Sequence, residues 1–166
     1  MTNPSLRPDW RNRWRPAAVS VAIALAAGVV GGLATASSVK TWYTGLHKPA
    51  FNPPNGVFAP VWTTLYIVMG LAAWRVWRTG AGAKDRRPAL GVYAVQLALN
   101  LAWSILFFGL RQPATALAEV LALDLAVLAT MALFWRVDRL AGLMLIPYVA
   151  WTCFASLLNY EIWRLN

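Results

Sequence analysis

The chain has 166 residues, 59% of them hydrophobic and 13% charged, with a formal net charge of +9. Soluble domains carry roughly a quarter of charged residues, so this composition excludes an ordinary soluble globule and points to a membrane. The basic excess lies beside apolar runs rather than in a polar patch interleaved with aromatics, which argues against nucleic acid as a partner, and the lone Cys153 provides neither an internal disulfide nor a thiolate metal cluster.

A basic tail, residues 1–16, leads into the first apolar run at 17–39. Its arginines and the triplet Ala34-Thr35-Ala36 imitate a cleavable signal, but the run exceeds the roughly 7–15 residues of a secretory core. It therefore reads as a span, with cleavage as the minor alternative. Ala24, Gly28, Gly32 and Ala36 recur every four residues, so one face of this helix is small enough for close approach of a neighbour. Packing inside a bundle is the plain reading of such a stripe, and a dimer seam the sharper one.

The connector at 40–57 belongs to the unusual stretch WYTGLHKPAFNPPNGVFAPVW, residues 42–62, which holds four prolines and five aromatic residues. Prolines limit the entropy that such a segment loses on ordering, and aromatic rings offer stacking faces, so a lid is expected here. His47, the only histidine, falls in it; a single loop imidazole is a weak signal for haem-iron ligation and implies no metal site.

Four further apolar runs follow at 58–77, 89–110, 114–135 and 140–160. Each approximates the roughly 20 helical residues needed to cross a hydrocarbon core. No segment alternates with period two, so the expected fold class is an all-α integral membrane protein, a bundle of five transmembrane helices embedded in a lipid bilayer. Eleven Lys and Arg residues collect on one side of these spans: Arg7, Arg11, Arg13, Arg15, Arg75, Arg78, Lys84, Arg86, Arg87, Arg136 and Arg139. Four, Lys40, Lys48, Arg111 and Arg164, lie on the other. In a bacterial cell membrane this predicts an N-terminus inside and the connector outside.

Helices two, three and five should each carry one unusual face climbing toward the connector. These are Trp62 and Tyr66; Gln96, Asn100, Trp103 and Phe107; and Tyr148, Trp151, Ala155 and Asn159. Buried amides need partners or a wet cavity, so the faces predict a pocket in the outer half, walled by Trp and Tyr under the lid. Trp74, Trp77, Trp135 and Trp163 suit the interfacial belt instead. In helix four, Glu119 and Asp124 are five apart, roughly 140° around the axis, which argues against a carboxylate pair; Glu119 should snorkel or bond a neighbour, and Asp124 needs protonation or a buried partner. In helix three Ala94, Ala98 and Ala102 form a second small-residue stripe, the expected seam of a homodimer.

Three blocks, WYTGLHKPAFNPPNGVFAPVWTTLY, QLALNLAWSILFFG and PYVAWTCFASLLNYEIW, resemble the TspO/MBR family, the bacterial tryptophan-rich sensory proteins and the mitochondrial translocator protein. The resemblance implies a five-helix bundle that binds porphyrins such as protoporphyrin IX and haem, synthetic isoquinoline or benzodiazepine ligands and, in animals, cholesterol, with a sensory, stress-regulatory or transport role and no required cofactor. It further implies that Tyr43, Trp62, Asn100, Trp151 and Ala155 line the ligand pocket, and that the assembly is a homodimer. An alternative within the resemblance is an enzyme that degrades protoporphyrin IX with light or oxygen, for which Trp62 and Trp151 are the catalytic candidates. Phe51 stands where many relatives have tryptophan, and Asp124 departs from the family pattern. Leu158, Tyr160 and Arg164 fit a sterol-recognition pattern of low specificity.

Overall fold

A computed structural model of the protein describes residues 10–80 and 82–166. Six α-helices occur among these residues: α1 (Trp10–Lys40), α2 (Asn55–Arg78), α3 (Ala83–Ser104), α4 (Pro113–Val137), α5 (Arg139–Met144) and α6 (Ile146–Leu165). The last two form one span, so five helical segments are long and apolar enough to cross a membrane. Arg7 of the expected cluster lies outside the described residues. α1 begins before the expected boundary because hydropathy marks the part of a helix that lipid can cover, not where its hydrogen bonds start. The fifth run is broken at Leu145, since Pro147 in the first turn of α6 has no N–H to continue the ladder. Asp138 caps α5 by accepting from the backbone N–H groups of Leu140 and Ala141 at 2.9 and 3.2 Å, and also pairs with Arg75 at 2.8 Å.

Up-and-down order puts the ends of α1, α3 and α6 and the starts of α2 and α4 at one end, beside the connector. The opposite end carries the interfacial aromatics, with Trp14 stacked on Trp74 at 5.8 Å and the Arg78 guanidinium 4.5 Å from the Trp74 ring centroid. Between the ends, the sides of the bundle are apolar and exposed, as at Ile23, Leu33, Val95 and Leu125, which is the surface a lipid environment requires.

Small residues set the α1–α2 contact. Ser20 donates to the Gly70 carbonyl oxygen at 2.7 Å, and a Cβ at Gly70 would come within 2.6 Å of the Val21 Cα. One turn further along this seam, Ala24 is fully buried and Gly28 lies against the Tyr66 ring. The first half of the α1 stripe is thus engaged in packing inside the bundle. Beyond Gly28 the two helices diverge, and Gly32 has open space in front of it.

α3 ends in a feature absent from the sequence reading, a π-helical turn over Ile105–Gly109 closed by the Leu110 N–H donating to the Ile105 carbonyl oxygen at 2.7 Å. Arg111 follows with φ 57°, a left-handed residue that ends the segment ahead of Pro113. Widening the last turn brings both Phe107 and Phe108 against Tyr43, at ring-centroid distances of 6.3 and 5.4 Å.

Candidate functional site: an aromatic cavity at the connector end

Where α1 and α2 diverge, a cavity of about 520 Å³ opens between α1, α2, α3 and α6. This is within the roughly 300–1,000 Å³ of typical small-molecule sites. Trp62 joins the aromatic residues of its wall, with ring centroids 5.8 Å from Tyr66, 6.3 Å from Trp103 and 6.4 Å from Trp151. Trp151 meets Trp62 edge to face, while Trp103 continues the aromatic wall by stacking on Phe107 at 5.6 Å. Ala155 lies one helical turn beyond Trp151 on the same wall, where its methyl leaves the slot open.

Of the residues expected to bind ligand, Tyr43, Trp62, Tyr66, Asn100, Trp103, Phe107, Trp151, Ala155 and Asn159 line this one cavity. Gln96 and Tyr148 do not. Both are about 1% exposed and lie beneath the floor, where they satisfy the amide that does reach it. The Tyr66 hydroxyl donates to Asn100 Oδ1, Asn100 Nδ2 donates to the Tyr148 hydroxyl at 3.1 Å, and Tyr148 in turn donates to Gln96 Oε1 at 2.8 Å. Gln96 Nε2 ends the chain on Met69 Sδ at 3.8 Å. Partnering a buried amide inside the bundle avoids the several kcal/mol it would cost unpaired, so Gln96 has no need of the cavity. Asn159 is held similarly, accepting from Trp103 Nε1 at 3.0 Å and donating to the Pro113 carbonyl oxygen at 2.7 Å.

Of the connector, Lys40, Tyr43 and Asn55 border the outer end of the cavity. Tyr43 starts a 3₁₀ turn, is buried, and donates to Asn52 Oδ1 at 3.0 Å; burial raises its phenol above the ordinary value. Asn166 anchors the loop from α6, accepting from the His47 N–H and donating to the His47 carbonyl oxygen, each at 3.0 Å. The His47 side chain is not part of the wall, so the cavity offers no axial imidazole from it. Phe51 is also outside the wall, half exposed and 6.3 Å from Phe154.

Asp124 has a buried partner on one oxygen, Ser156, which donates to Oδ2 at 2.6 Å, while Oδ1 is buried without one. Glu119 does not follow expectation: both carboxylate oxygens are buried and without a hydrogen-bond partner, so it neither snorkels nor bonds a neighbour. Neither acid reaches the cavity. The sterol-type pattern is split, with Leu158 in the cavity wall while Tyr160 and Arg164 are exposed on another side of α6. Spacings of two and six residues rotate them roughly 120–160° away from Leu158, so the three cannot meet one ligand.

Sequence reading missed the α1 wall, including Leu25, Thr35, Ala36 and Lys40, and it missed Phe58 and Phe154. The available signal was the Gly28, Gly32, Ala36 spacing, which marks the strip of α1 where space is left for something other than a side chain.

Comparison with known proteins agrees with this architecture. Residues 20–164 match the TspO/MBR family. The chain belongs to that family. It is 44% identical over 147 residues to the tryptophan-rich protein TspO of Archaeoglobus fulgidus, covering 89% of this chain and 94% of that protein. To the human translocator protein it is 44% identical over 126 residues, 75% of each chain. The tryptophan-rich sensory protein of Cereibacter sphaeroides is 46% identical over 125 residues, 75% of this chain and 77% of its own length. As a TspO/MBR protein with five spanning helices, the chain is an integral, multi-pass membrane protein.

Proposed function

We propose that this TspO/MBR protein is a membrane receptor for porphyrins, with protoporphyrin IX and haem as ligands and a sensory or stress-regulatory output. The observation that carries the reading is the cavity walled by Trp62, Trp103 and Trp151, apolar and aromatic, with a satisfied amide–phenol network beneath its floor and Tyr43 of the connector at its outer end. Flat, polarisable rings are the ligands that such walls hold best. Assembly as a homodimer through Ala94, Ala98 and Ala102 belongs to the same proposal.

Titration in the dark with protoporphyrin IX should quench tryptophan fluorescence saturably in the micromolar range or tighter. Ala155→Phe should weaken that binding at least about tenfold while leaving the thermal transition in place, because a ring placed there overfills the slot. Quenching no greater than that of an unrelated membrane protein in the same detergent would refute the reading.

The edge-to-face contact of Trp62 with Trp151 favours one second reading, photo-oxidative breakdown of bound protoporphyrin. An indole beside a photoexcited porphyrin can donate an electron to it or react with the singlet oxygen it sensitises. Under illumination with saturating ligand, Trp62→Phe or Trp151→Phe should then slow pigment loss far more than it weakens binding. Equal bleaching rates for wild type and the double Phe variant would dispose of this reading.

A further inference from the structure

The polar groups on the cavity wall are largely engaged with the protein itself. Thr35 donates to the Gly31 carbonyl oxygen at 2.8 Å, Thr63 to that of Ala59 at 2.8 Å, and Ser104 to that of Asn100 at 3.4 Å. The Tyr66, Asn100, Trp103 and Asn159 side chains are paired as described above. Among the described residues Trp151 Nε1 is the one buried wall donor without a partner, and it is neutral. Among the described residues a single charged side chain lines the cavity, Lys40, in the last turn of α1 at the outer mouth. Among the described residues it forms no ion pair, and the two found there join Arg75 to Asp138 and Arg164 to Glu161. Lys48, the other lysine at this end, is outside the wall; its ammonium donates to the carbonyl oxygens of Thr44 and Leu46 at 3.4 and 3.1 Å and covers the Tyr43 ring.

We infer that Lys40 is the carboxylate-recognition residue of this cavity, which selects flat apolar ligands bearing an acid group and holds them with that group at the mouth. This rests on the porphyrin-binding reading and adds the ligand's charge and orientation to it. A carboxylate pushed to the floor would lose its hydration among groups whose donors are already engaged. At the mouth it keeps part of its water and meets an ammonium at the edge of an apolar wall, where Coulomb attraction is screened less than in bulk. The start of α2 faces the same mouth through Asn55, with no side-chain cap and no acidic residue in its first turn, so its positive end does not oppose an anion there. Protoporphyrin IX carries its two propionates on one edge, which matches a single cationic end.

The test compares protoporphyrin IX with its neutral dimethyl ester, titrated in the dark by tryptophan quenching into full-length protein in phosphatidylcholine nanodiscs. Lys40→Gln should weaken the acid about three- to tenfold and leave the ester within about twofold, Lys40→Arg should retain both, and Lys48→Gln should change neither. Added salt should weaken the acid on wild type and not on Lys40→Gln. Equal loss of acid and ester in Lys40→Gln, or no loss of either, would overturn the role of Lys40 while leaving the cavity intact. Failure of both ligands to bind wild type saturably would overturn the porphyrin reading and this inference together.

Discussion

Asn100 joins three helices through one amide, accepting from Tyr66 of α2 and donating to Tyr148 of α6 from its own place on α3. Replacing it by Leu removes the Tyr66 acceptor and leaves a buried phenol unsatisfied, at a cost of about 1–3 kcal/mol. The double change Asn100→Leu with Tyr66→Phe should cost less than Asn100→Leu alone, because no polar group is then stranded. Thermal unfolding in detergent measures both; an additive result would mean that the pair does not interact. Sequence reading could find Asn100 and Gln96, since an amide within a span must meet something, but it could not tell that Gln96 would meet Tyr148 and Met69 rather than a ligand. Helical periodicity fixes the face on which a side chain lies, whereas the depth of the neighbouring helix decides whether that face is cavity or core.

At the level of helices, the glycines of the α1–α2 seam divide by what stands in front of them. Gly70→Ala should destabilise by about 1–3 kcal/mol, since its methyl would meet the Val21 backbone, which moves only if the whole of α1 moves. Gly32→Ala, facing open space, should be close to neutral in the same unfolding measurement and slightly stabilising through helix propensity. Comparable losses at both positions would mean that the helices do not diverge where the cavity requires it. The existence of each span was legible because about 20 apolar residues without period-two alternation leave a helix as the only economical backbone in lipid. The π turn at Ile105–Gly109 was not, as nothing in ILFFG distinguishes one extra residue per turn from a regular helix. Its effect on the site is direct, since it carries Phe107 and Phe108 to Tyr43 of the connector. The break at Leu145 was partly visible, Pro147 being in plain sight, but a hydropathy window does not register a missing donor.

The whole molecule has two ends of different charge and two stripes of small residues, and each pair yields a test. Cysteines placed at Asn55 and Thr79, at opposite ends of α2, should react with an impermeant thiol reagent from opposite faces of the membrane once Cys153 is replaced by Ser, with Asn55 outside if the basic end is cytoplasmic. Labelling of both from one face would contradict the span between them. The proposed homodimer needs small residues that the bundle leaves free. Ala24 and Gly28 of α1 are engaged by the bundle, and Gly32 and Ala36 border the cavity. Ala94 and Ala98 of α3 instead face outward beside exposed Val95, while Ala102 is half-buried at the end of the same stripe. Without a hydrophobic effect between lipid-facing helices, association rests on the close van der Waals approach that such a stripe permits. Ala98→Leu should therefore move the purified protein toward monomer in light scattering with detergent subtracted, whereas Gly32→Leu should leave the oligomeric state alone and weaken porphyrin instead, its side chain entering the open space at the cavity wall. A dimer that withstands Ala98→Leu and dissociates with Gly32→Leu would assign the seam to α1, and the cavity would then lie at the interface between two copies.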